Sequence, residues 1–599
     1  MTIRYAVRPA DPGAHLFHVT VRVDGPDPEG QRFALPAWNP GSYMIREFAR
    51  HIVRLTALSG GRKLRVEKLD KHTWRCARAQ GEVTLAYEVY AFDLSVRAAY
   101  LDPEQAFFNG AALLLAPLGH ERAACRIDIF PPAGARATSW QLITGLTAAR
   151  GTRAGGFGSY LAQDYEELID GPVQMGHFAH ARFQVCGVPH EIAVGGRVAR
   201  LDLGRLQADL ARLCETHVRL FEPRRPHPPF ERYAFLTFAV DEGYGGLEHR
   251  NSTALIYRRD DLPYVGMKEA TEGYRRLLGL ASHEYFHVWN VKRIRPQAFV
   301  PYDLSRENYT RLLWAFEGFT AYYDDLMVAR AGLASQAQYL ETLSRTITTV
   351  MQRSARLKQS LAESSFDAWI KYYRQDENAP NSVLSYYQKG ALVALALDLA
   401  IRHESGARRS LDDVMRWLWR SFRSAGPAYR GVSEDGIIEA IAQATGLDLA
   451  RTVRAWTEGT RDPDLATLLQ TVGIRLQRKL ALESPHFALL GLKLHGGGGE
   501  ARVAHVFDGG PAQQAGVAAG DLLVALDGLR VAPARLDAIL ARYSPGDTIE
   551  LLTFRREELQ RFALTLATQP PPRFVLEVDE RASAAVQRRR AAWCGARRT

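Results

Sequence analysis

The sequence predicts a multidomain α+β protein with a β-sandwich-like N-terminal domain, a mostly helical central domain and a smaller C-terminal domain. Two observations predict this organisation. The chain has 599 residues, more than one hydrophobic core usually serves. Short alternating apolar segments fill its first third, helical periods fill its middle, and alternating segments return near residue 480.

The first predicted domain covers residues 1–190. Segments such as HLFHVTVRV and EVTLAYEVYAF alternate apolar and polar residues, and Gly, Pro and Asp turns separate them. This pattern is typical of an all-β domain. One segment, ALPAWNPGSYMIREFARHI, stands apart because composition alone does not explain its turn-rich run of Trp38, Pro40, Gly41 and Tyr43.

The second predicted domain covers residues 191–475. Helical periods appear in LDLGRLQADLARLCETHVRLF and YTRLLWAFEGFTAYYDDLMVARAG, and two apparent strands, RYAFLTFAV and TALIYRR, lie near its start. A few strands followed by many helices favour an α+β catalytic unit.

The third predicted domain covers residues 476–570 and resembles a PDZ domain. The features that carry the resemblance are LLGLKL, GGPAQQAGVAAGD with a short helix from about Pro511, and LVALDGLRV followed by APARLDAILARY. We expect the glycine run Gly496–Gly499 to form a hairpin tip, because no helix follows it as a phosphate loop requires.

The formal net charge of +10 does not indicate a nucleic-acid-binding protein, because the arginines are spread along the chain. They are dense only in the last residues, RASAAVQRRRAAWCGARRT. We therefore expect residues 571–599 to be a frayed, solvated basic tail.

Other bulk features narrow the class of protein. No apolar run reaches about 18 residues, so no membrane span is expected. The N-terminal segment lacks the features of a secretory signal, so a cytoplasmic location is expected. The five cysteines are scattered without a CxxC pair, which argues against a disulfide framework or a thiolate zinc site.

The segment LASHEYFHVWNV contains an HExxH motif within a helical period that starts near Tyr274. His283 and His287 stand at positions i and i+4, so both side chains can point at one ion. Glu284 is displaced by about 100° around the helix axis and can reach a metal-bound water. These residue types are typical of zinc hydrolases.

A catalytic zinc site needs a third protein ligand, and Glu317 in LLWAFEGFTAYYDDL is the candidate. A carboxylate in such an apolar setting is costly unless it is paired or bound to metal. A buried salt bridge is the alternative explanation for Glu317.

The segment DEGYGGLEHRNST places Glu248 after a glycine pair and before an apparent strand. Gly245 and Gly246 would let the backbone approach a ligand closely. A carboxylate fixed beside such a strand suits an ammonium group, although an ordinary surface turn gives the same pattern.

Tyr386 and Tyr387 begin the weakly charged helical run YYQKGALVALALDLAI. A phenol directed at a metal site can donate a hydrogen bond to a developing oxyanion. Tyrosines at a helix start are also common packing residues, so the residues alone leave both roles open.

In this order, these pieces resemble the gluzincin metallopeptidases, and within them the aminopeptidases. The stretch GGLEH resembles the motif whose glutamate holds a peptide's free N-terminus, which assigns that role to Glu248. HEYFH and WAFEGFTAYY resemble the zinc helix and the third-ligand helix. YYQKG resembles the element that carries the transition-state tyrosine, which assigns that role to Tyr387.

Two further features resemble the glycyl aminopeptidase family of PDZ-containing metallopeptidases. The interval between His287 and Glu317 holds 29 residues, longer than in the large alanyl- and leucyl-type aminopeptidases, and a PDZ-like domain follows. The resemblance, which includes PAWNPGSYMIREFARHI, extends to about residue 570. It implies one catalytic Zn²⁺, a thermolysin-like catalytic domain, and removal of small N-terminal residues such as Gly or Ala.

Two alternatives remain at this point. The protein could be a zinc endopeptidase whose PDZ-like domain recruits peptide C-termini as an added strand. It could also be a non-enzymatic PDZ adaptor with a vestigial metal fold. The expected partners are peptides with a free N-terminus, and the sequence predicts no oligomeric state.

Overall fold

A computed structural model describes residues 2–133, 139–153, 155–480, 485–495 and 499–595 of the chain. The predicted hairpin tip lies outside these residues except for Gly499. The multidomain α+β class is confirmed, with a β-rich N-terminal domain and a helical region that follows it. The sandwich and thermolysin-like descriptions stay predictions.

Two compact units make up the structure, and each is built from several chain segments. Unit 1 consists of Met1–Tyr309, Tyr323–Ala334 and Met415–Ser433. Unit 2 consists of Thr310–Tyr322, Ser335–Val414 and Glu434–Thr599.

Unit 1 contains the strands of the N-terminal half of the chain. They are β1 (Thr2–Asp11), β2 (Leu16–Val23), β3 (Arg32–Ala34), β4 (Ile52–Ser59), β5 (Arg62–Leu64), β6 (Val66–Lys68), β7 (Thr73–Cys76), β8 (Val83–Tyr90), β9 (Ala99–Leu101), β10 (Gln105–Phe108), β11 (Ala116–Pro117), β12 (Ala124–Ile129), β13 (Gln141–Thr144), β14 (Thr147–Ala148), β15 (Gly158–Ala162), β16 (Val173–Gly176), β17 (Phe178–Val185), β18 (Val188–Gly195), β19 (Tyr233–Val240), β20 (Tyr244–Glu248) and β21 (Ser252–Arg258). Its helices α1 (Gly110–Leu113), α2 (Tyr165–Ile169), α3 (Leu203–Phe221) and α4 (Glu272–Phe286) are interspersed among them.

The N-terminal sheets of unit 1 form because their strands alternate buried and exposed residues. An eight-stranded sheet has the order β14-β15-β12-β1-β2-β8-β4-β5, and two four-stranded sheets have the orders β13-β16-β10-β9 and β11-β3-β7-β6. Phe17, Val19 and Val21 point from β2 into their common core.

A five-stranded sheet with the order β17-β18-β19-β21-β20 positions the candidate site. The central strand β19 is almost wholly buried and pairs in parallel with β18 and β21, as expected for its continuous apolar sequence. Strand β20 pairs antiparallel with β21 at the edge and ends at Glu248. Residue 190, the predicted end of the first domain, lies inside β18.

From residue 310 to residue 470 the chain is mostly helical, and further helices follow among the C-terminal strands. The helices are α5 (Leu313–Phe316), α6 (Gly318–Arg330), α7 (Gln336–Gln352), α8 (Leu361–Phe366), α9 (Ala379–Ser382), α10 (Gln388–Glu404), α11 (Leu411–Ala425), α12 (Gly436–Thr445), α13 (Ala450–Thr457), α14 (Leu465–Gln470), α15 (Pro511–Ala515), α16 (Pro533–Leu540) and α17 (Ala584–Cys594). Helix α10 is buried along most of its length, which agrees with its apolar character on all sides.

The C-terminal module has its own core, formed by residues such as Leu492, Leu526 and Leu551. Its strands are β22 (Ile474–Leu480), β23 (Leu492–Leu494), β24 (Ala501–Val506), β25 (Leu522–Leu526), β26 (Leu529–Arg530), β27 (Thr548–Arg555), β28 (Glu558–Thr565) and β29 (Pro572–Val578). The main sheet has the order β23-β24-β25-β27-β28, with β26 paired to β25. The PDZ assignment stays a prediction. Among the described residues, no helix has both the length and the apolar character needed to cross a membrane.

The prediction of a frayed C-terminal tail is wrong for the described part of residues 571–599, which ends at residue 595. Strand β29 pairs antiparallel with β22, and α17 follows it. Trp593 is fully buried, and its Nε1–H donates to the Tyr322 hydroxyl at 2.9 Å. The sequence did not predict this anchor. Helix α17 is rich in arginine, and a single aromatic residue does not make a helical apolar period.

We expect Trp593→Ala to lower the free energy of unfolding by about 3–5 kcal/mol, since it leaves a cavity in place of a buried indole. Urea titration of the intact chain, followed by circular dichroism, measures this. Arg588→Ala on the same helix is the matched control, because Arg588 is exposed. Equal stability of the two variants would contradict a packing role for Trp593.

Candidate active site

The HExxH segment occupies the last turn of α4. The helix begins with Thr271, whose side chain accepts a hydrogen bond from the Tyr274 N–H, and His287 is its C-cap residue. The predicted helical period continued to Val291, but the helix ends at Phe286. His283 and His287 keep their spacing, and their ring centroids lie 4.7 Å apart.

Hydrogen bonds at Nδ1 orient both imidazole rings. His287 Nδ1 lies 2.7 Å from the backbone oxygen of Asn290. Because a carbonyl oxygen can only accept, this Nδ1 carries the proton and Nε2 keeps its lone pair. His283 Nδ1 lies 3.2 Å from Asp324 Oδ2. Such outer partners are typical of metal-bound histidines.

Asp324 is a residue that sequence reasoning missed. It stands seven residues after Glu317, about two helical turns further along, and this spacing was the available signal. Burial raises the pKa of Asp324, and the hydrogen bond and charge of His283 oppose that shift. The His283 imidazole therefore favours the charged form of the Asp324 carboxylate, against the effect of burial.

Ligand atoms of His283, His287 and Glu317 all lie within 4.8 Å of one another. The structure thus brings the three predicted ligands together. Glu317 lies at the junction of α5 and α6, and both it and His287 are almost fully buried. Two imidazole nitrogens and one carboxylate form a donor set that fits Zn²⁺ and leaves one position open.

Gly246 brings β20 directly against Glu284. A Cβ atom on Gly246 would lie 2.2 Å from Glu284 Oε1, far inside van der Waals contact. Gly246 therefore permits a close approach of the backbone to the Glu284 carboxylate, and the predicted approach of both glycines to a ligand stays a prediction. A Cβ on Gly245 would meet its nearest atom only at 3.9 Å.

Glu248, at the end of β20, is buried, and its Oε1 has no hydrogen-bond partner within the part of the chain that the structure describes. Gly41 packs against this carboxylate. A Cβ on Gly41 would lie 2.5 Å from each Glu248 oxygen, and the φ of Gly41 is +94°, which also favours glycine.

The unexplained segment around Trp38 therefore has a structural role beside Glu248. The Trp38 Nε1–H donates to the Asp303 backbone oxygen at 2.8 Å. The Tyr43 ring stacks on Phe299 with centroids 5.8 Å apart. These anchors hold the loop that carries Gly41, and sequence reasoning did not assign Gly41 to the site.

A buried ion pair lies near Glu248. Lys292 Nζ is 2.6 Å from Asp170 Oδ1. Burial alone would raise the pKa of Asp170, but the charge of Lys292 and the contacts of His249 hold it well below its usual range. Burial would lower the pKa of Lys292, but Asp170 and Glu248 are among the groups that raise it. The ammonium group of Lys292 thus interacts electrostatically with both Asp170 and Glu248.

Tyr387 precedes α10 within a cluster of phenols in unit 2. Its hydroxyl lies 3.4 Å from that of Tyr373, and its ring stacks on Tyr372 with centroids 5.5 Å apart. Burial raises the pKa of Tyr386 well above its usual value, and the charge of Glu317 contributes to this rise.

Close helix packing joins Glu317 to the segment that carries Tyr387. A Cβ on Gly318 would lie 2.6 Å from the Gly390 Cα, so the two helices meet at their glycines. Lys389 is buried and pairs with Asp462 at 3.1 Å. The glycine and lysine of YYQKG thus have packing and pairing roles.

Comparisons with known proteins give matches to two family models and to several solved structures. The family model described as "Peptidase M61 N-terminal domain" matches residues 4–177, and the one described as "M61 glycyl aminopeptidase" matches residues 276–393. The crystal structure of an aminopeptidase N family protein from Idiomarina loihiensis is 38% identical with a TM-score of 0.93. The match covers 99% of this chain and 100% of that one.

The chain belongs to the M61 glycyl aminopeptidase family. It is a metallo-aminopeptidase. Weaker matches include an M1 zinc metallopeptidase from Deinococcus radiodurans, 14% identical with a TM-score of 0.47 over 78% of this chain and 95% of that one. Yeast LTA4 hydrolase is 12% identical with a TM-score of 0.44, over 79% and 70% respectively. No match was found among the curated proteins.

Gly246→Ala should lower the kcat of this M61 enzyme by about 100-fold, because the new methyl group displaces the Glu284 carboxylate by an ångström or more. The measurement is the hydrolysis of a glycyl anilide by metal-quantified protein. Gly245→Ala is the matched comparison, and it should lose far less activity because a Cβ there would meet its nearest atom only at 3.9 Å. Similar losses in both variants would contradict the Gly246–Glu284 contact.

Proposed function

We propose that this M61 enzyme is a zinc aminopeptidase that removes small N-terminal residues, Gly or Ala, from peptides. The observation that carries the proposal is the cluster of ligand atoms from His283, His287 and Glu317, all within 4.8 Å. Glu284 follows the first of these histidines directly on α4, in the position that a general base requires.

One zinc ion is proposed, held by His283, His287 and Glu317. When bound, it would lower the pKa of a coordinated water and polarise the scissile carbonyl. Glu284 would accept the proton from that water and then pass it to the leaving amine. Its close contact with Gly246 would hold the carboxylate in place during both transfers.

The Tyr387 hydroxyl is proposed to donate a hydrogen bond to the oxyanion that forms at the substrate carbonyl. Its partner Tyr373, 3.4 Å away, would orient this hydroxyl. The stacking of Tyr387 on Tyr372 supports the role because it limits the motion of the ring.

Glu248 is proposed to bind the α-ammonium group of the substrate. Its buried carboxylate has an oxygen with hydrogen-bonding capacity left among the described contacts. An ammonium group that pairs with Glu248 determines where the substrate chain begins, which makes the enzyme an exopeptidase.

The preference for small first residues has a structural source in the proposed arrangement. Gly41 lies against both oxygens of Glu248, so the loop around it occupies space beside the ammonium site. A large first side chain would have to pass this loop. The glycyl aminopeptidase description of the family supports the same preference.

The endopeptidase alternative is less well supported, because an endopeptidase has no use for a buried carboxylate at the ammonium position. The adaptor alternative does not apply to a metallo-aminopeptidase. The cytoplasmic location and the binding of peptide C-termini by the PDZ-like domain stay predictions.

Glu248→Gln should lower kcat/KM for a glycyl peptide by at least about 30-fold, because the substrate ammonium loses its charged partner. The wild-type enzyme should not cleave the N-acetylated form of the same peptide, and the variant should discriminate less between the two forms. Chromatographic measurement of the released products gives both rates.

Glu242→Gln is the matched control, since Glu242 is exposed on the same segment. Glycyl and alanyl anilides should have higher kcat/KM values than leucyl anilide in the same assay. Rapid cleavage of the N-acetylated peptide by the wild-type enzyme would favour the endopeptidase instead.

A further inference from the structure

A cavity lies in unit 2, between helices α7 and α10 and the C-terminal module. Its volume is about 660 Å³, and the end of α7, the segment before α10 and the region around β23 line it. Two hydrogen bonds join its walls. Asn381 Nδ2 donates to the Val506 oxygen at 2.8 Å, and His505 Nδ1 lies 2.9 Å from the Glu377 oxygen.

Basic side chains outnumber acidic ones in the walls of this cavity. Arg353, Lys493, His486 and His505 line it, and no Asp or Glu is among the described lining residues. His486 Nδ1 already pairs with Asp537 at 2.7 Å, so the arginine and the lysine are the main available cations.

Arg353 and Lys493 make no side-chain ion pair within the described ranges. Lys493 is exposed, whereas Arg353 is half-buried, and this burial lowers its pKa. A guanidinium group removed from water without a partner is costly, and its planar donors match a carboxylate in a bidentate arrangement. The cavity is therefore suited to an anionic group.

The cavity also adjoins the proposed catalytic tyrosine. Tyr372 lines the cavity, and its ring stacks on Tyr387 at 5.5 Å between centroids. The charge of Glu317 is among the causes that raise the pKa of Tyr372, after its burial. One aromatic ring thus lies between the cationic cavity and the residues assigned to the chemistry.

We propose that this cavity binds the C-terminal carboxylate of a short peptide substrate, with Arg353 and Lys493 as its partners. The inference rests on the proposed aminopeptidase function and extends it to the far end of the substrate. A peptide held at both ends would be selected by length, and this enzyme would then consume the short products of other peptidases.

The test compares glycyl peptides of two to five residues, Ala after Gly, as free acids and as C-terminal amides. At the best length, the intact wild-type enzyme should have a kcat/KM roughly tenfold or more higher for the acid than for the amide. In Arg353→Gln this ratio should fall close to one. Lys493→Gln, at an exposed position, should lower the same ratio in part.

Arg542→Gln is the matched control, because Arg542 is exposed in the same module and the substitution removes the same charge. It should keep the wild-type ratio. Equal acid and amide rates at every length, or an unchanged ratio in Arg353→Gln, would overturn the proposal. Glycyl anilide, which has no carboxylate, tests the aminopeptidase function separately, since its hydrolysis by the wild type does not depend on this cavity.

Discussion

The hydrogen bonds at Nδ1 of His283 and His287 are the interactions on which the rest of the site depends. With Nδ1 engaged in this way, each ring presents Nε2 as its metal-binding atom, so both imidazoles can point at one ion. The Asn290 oxygen is available because α4 ends at Phe286, with His287 as its C-cap residue, and the chain then turns. The early end of α4 therefore helps to orient His287 in the candidate metal site.

Three glycines allow close packing around the candidate site. Gly246 lets β20 touch Glu284, Gly41 lets an N-terminal loop touch Glu248, and Gly318 lets the Glu317 helix approach α10. In each case the absence of a side chain lets the backbone lie close to a candidate site residue or to the helix that follows Tyr387. The carboxylates are consequently held by close packing, which suits the roles proposed for them in proton transfer and ammonium binding.

The sequence was sufficient for the parts of the site that local patterns encode. HExxH spacing is set by helical geometry, and the apolar setting of Glu317 indicated a carboxylate with a buried role. Asp324 and Gly41 were missed because their partners lie far away along the chain, in the case of Gly41 about two hundred residues later. The C-terminal helix was mispredicted because its stability depends on Trp593, whose tertiary contact leaves no periodic signal.

The most direct test of the proposed zinc mechanism measures zinc content and turnover in the same samples of wild type and Glu284→Gln. We expect one zinc per chain in both proteins, because the three proposed ligands remain. We expect the turnover of glycyl anilide to fall by about 10²–10⁴-fold in the variant, because the proton acceptor is lost. Turnover at the wild-type rate with zinc still bound would contradict it.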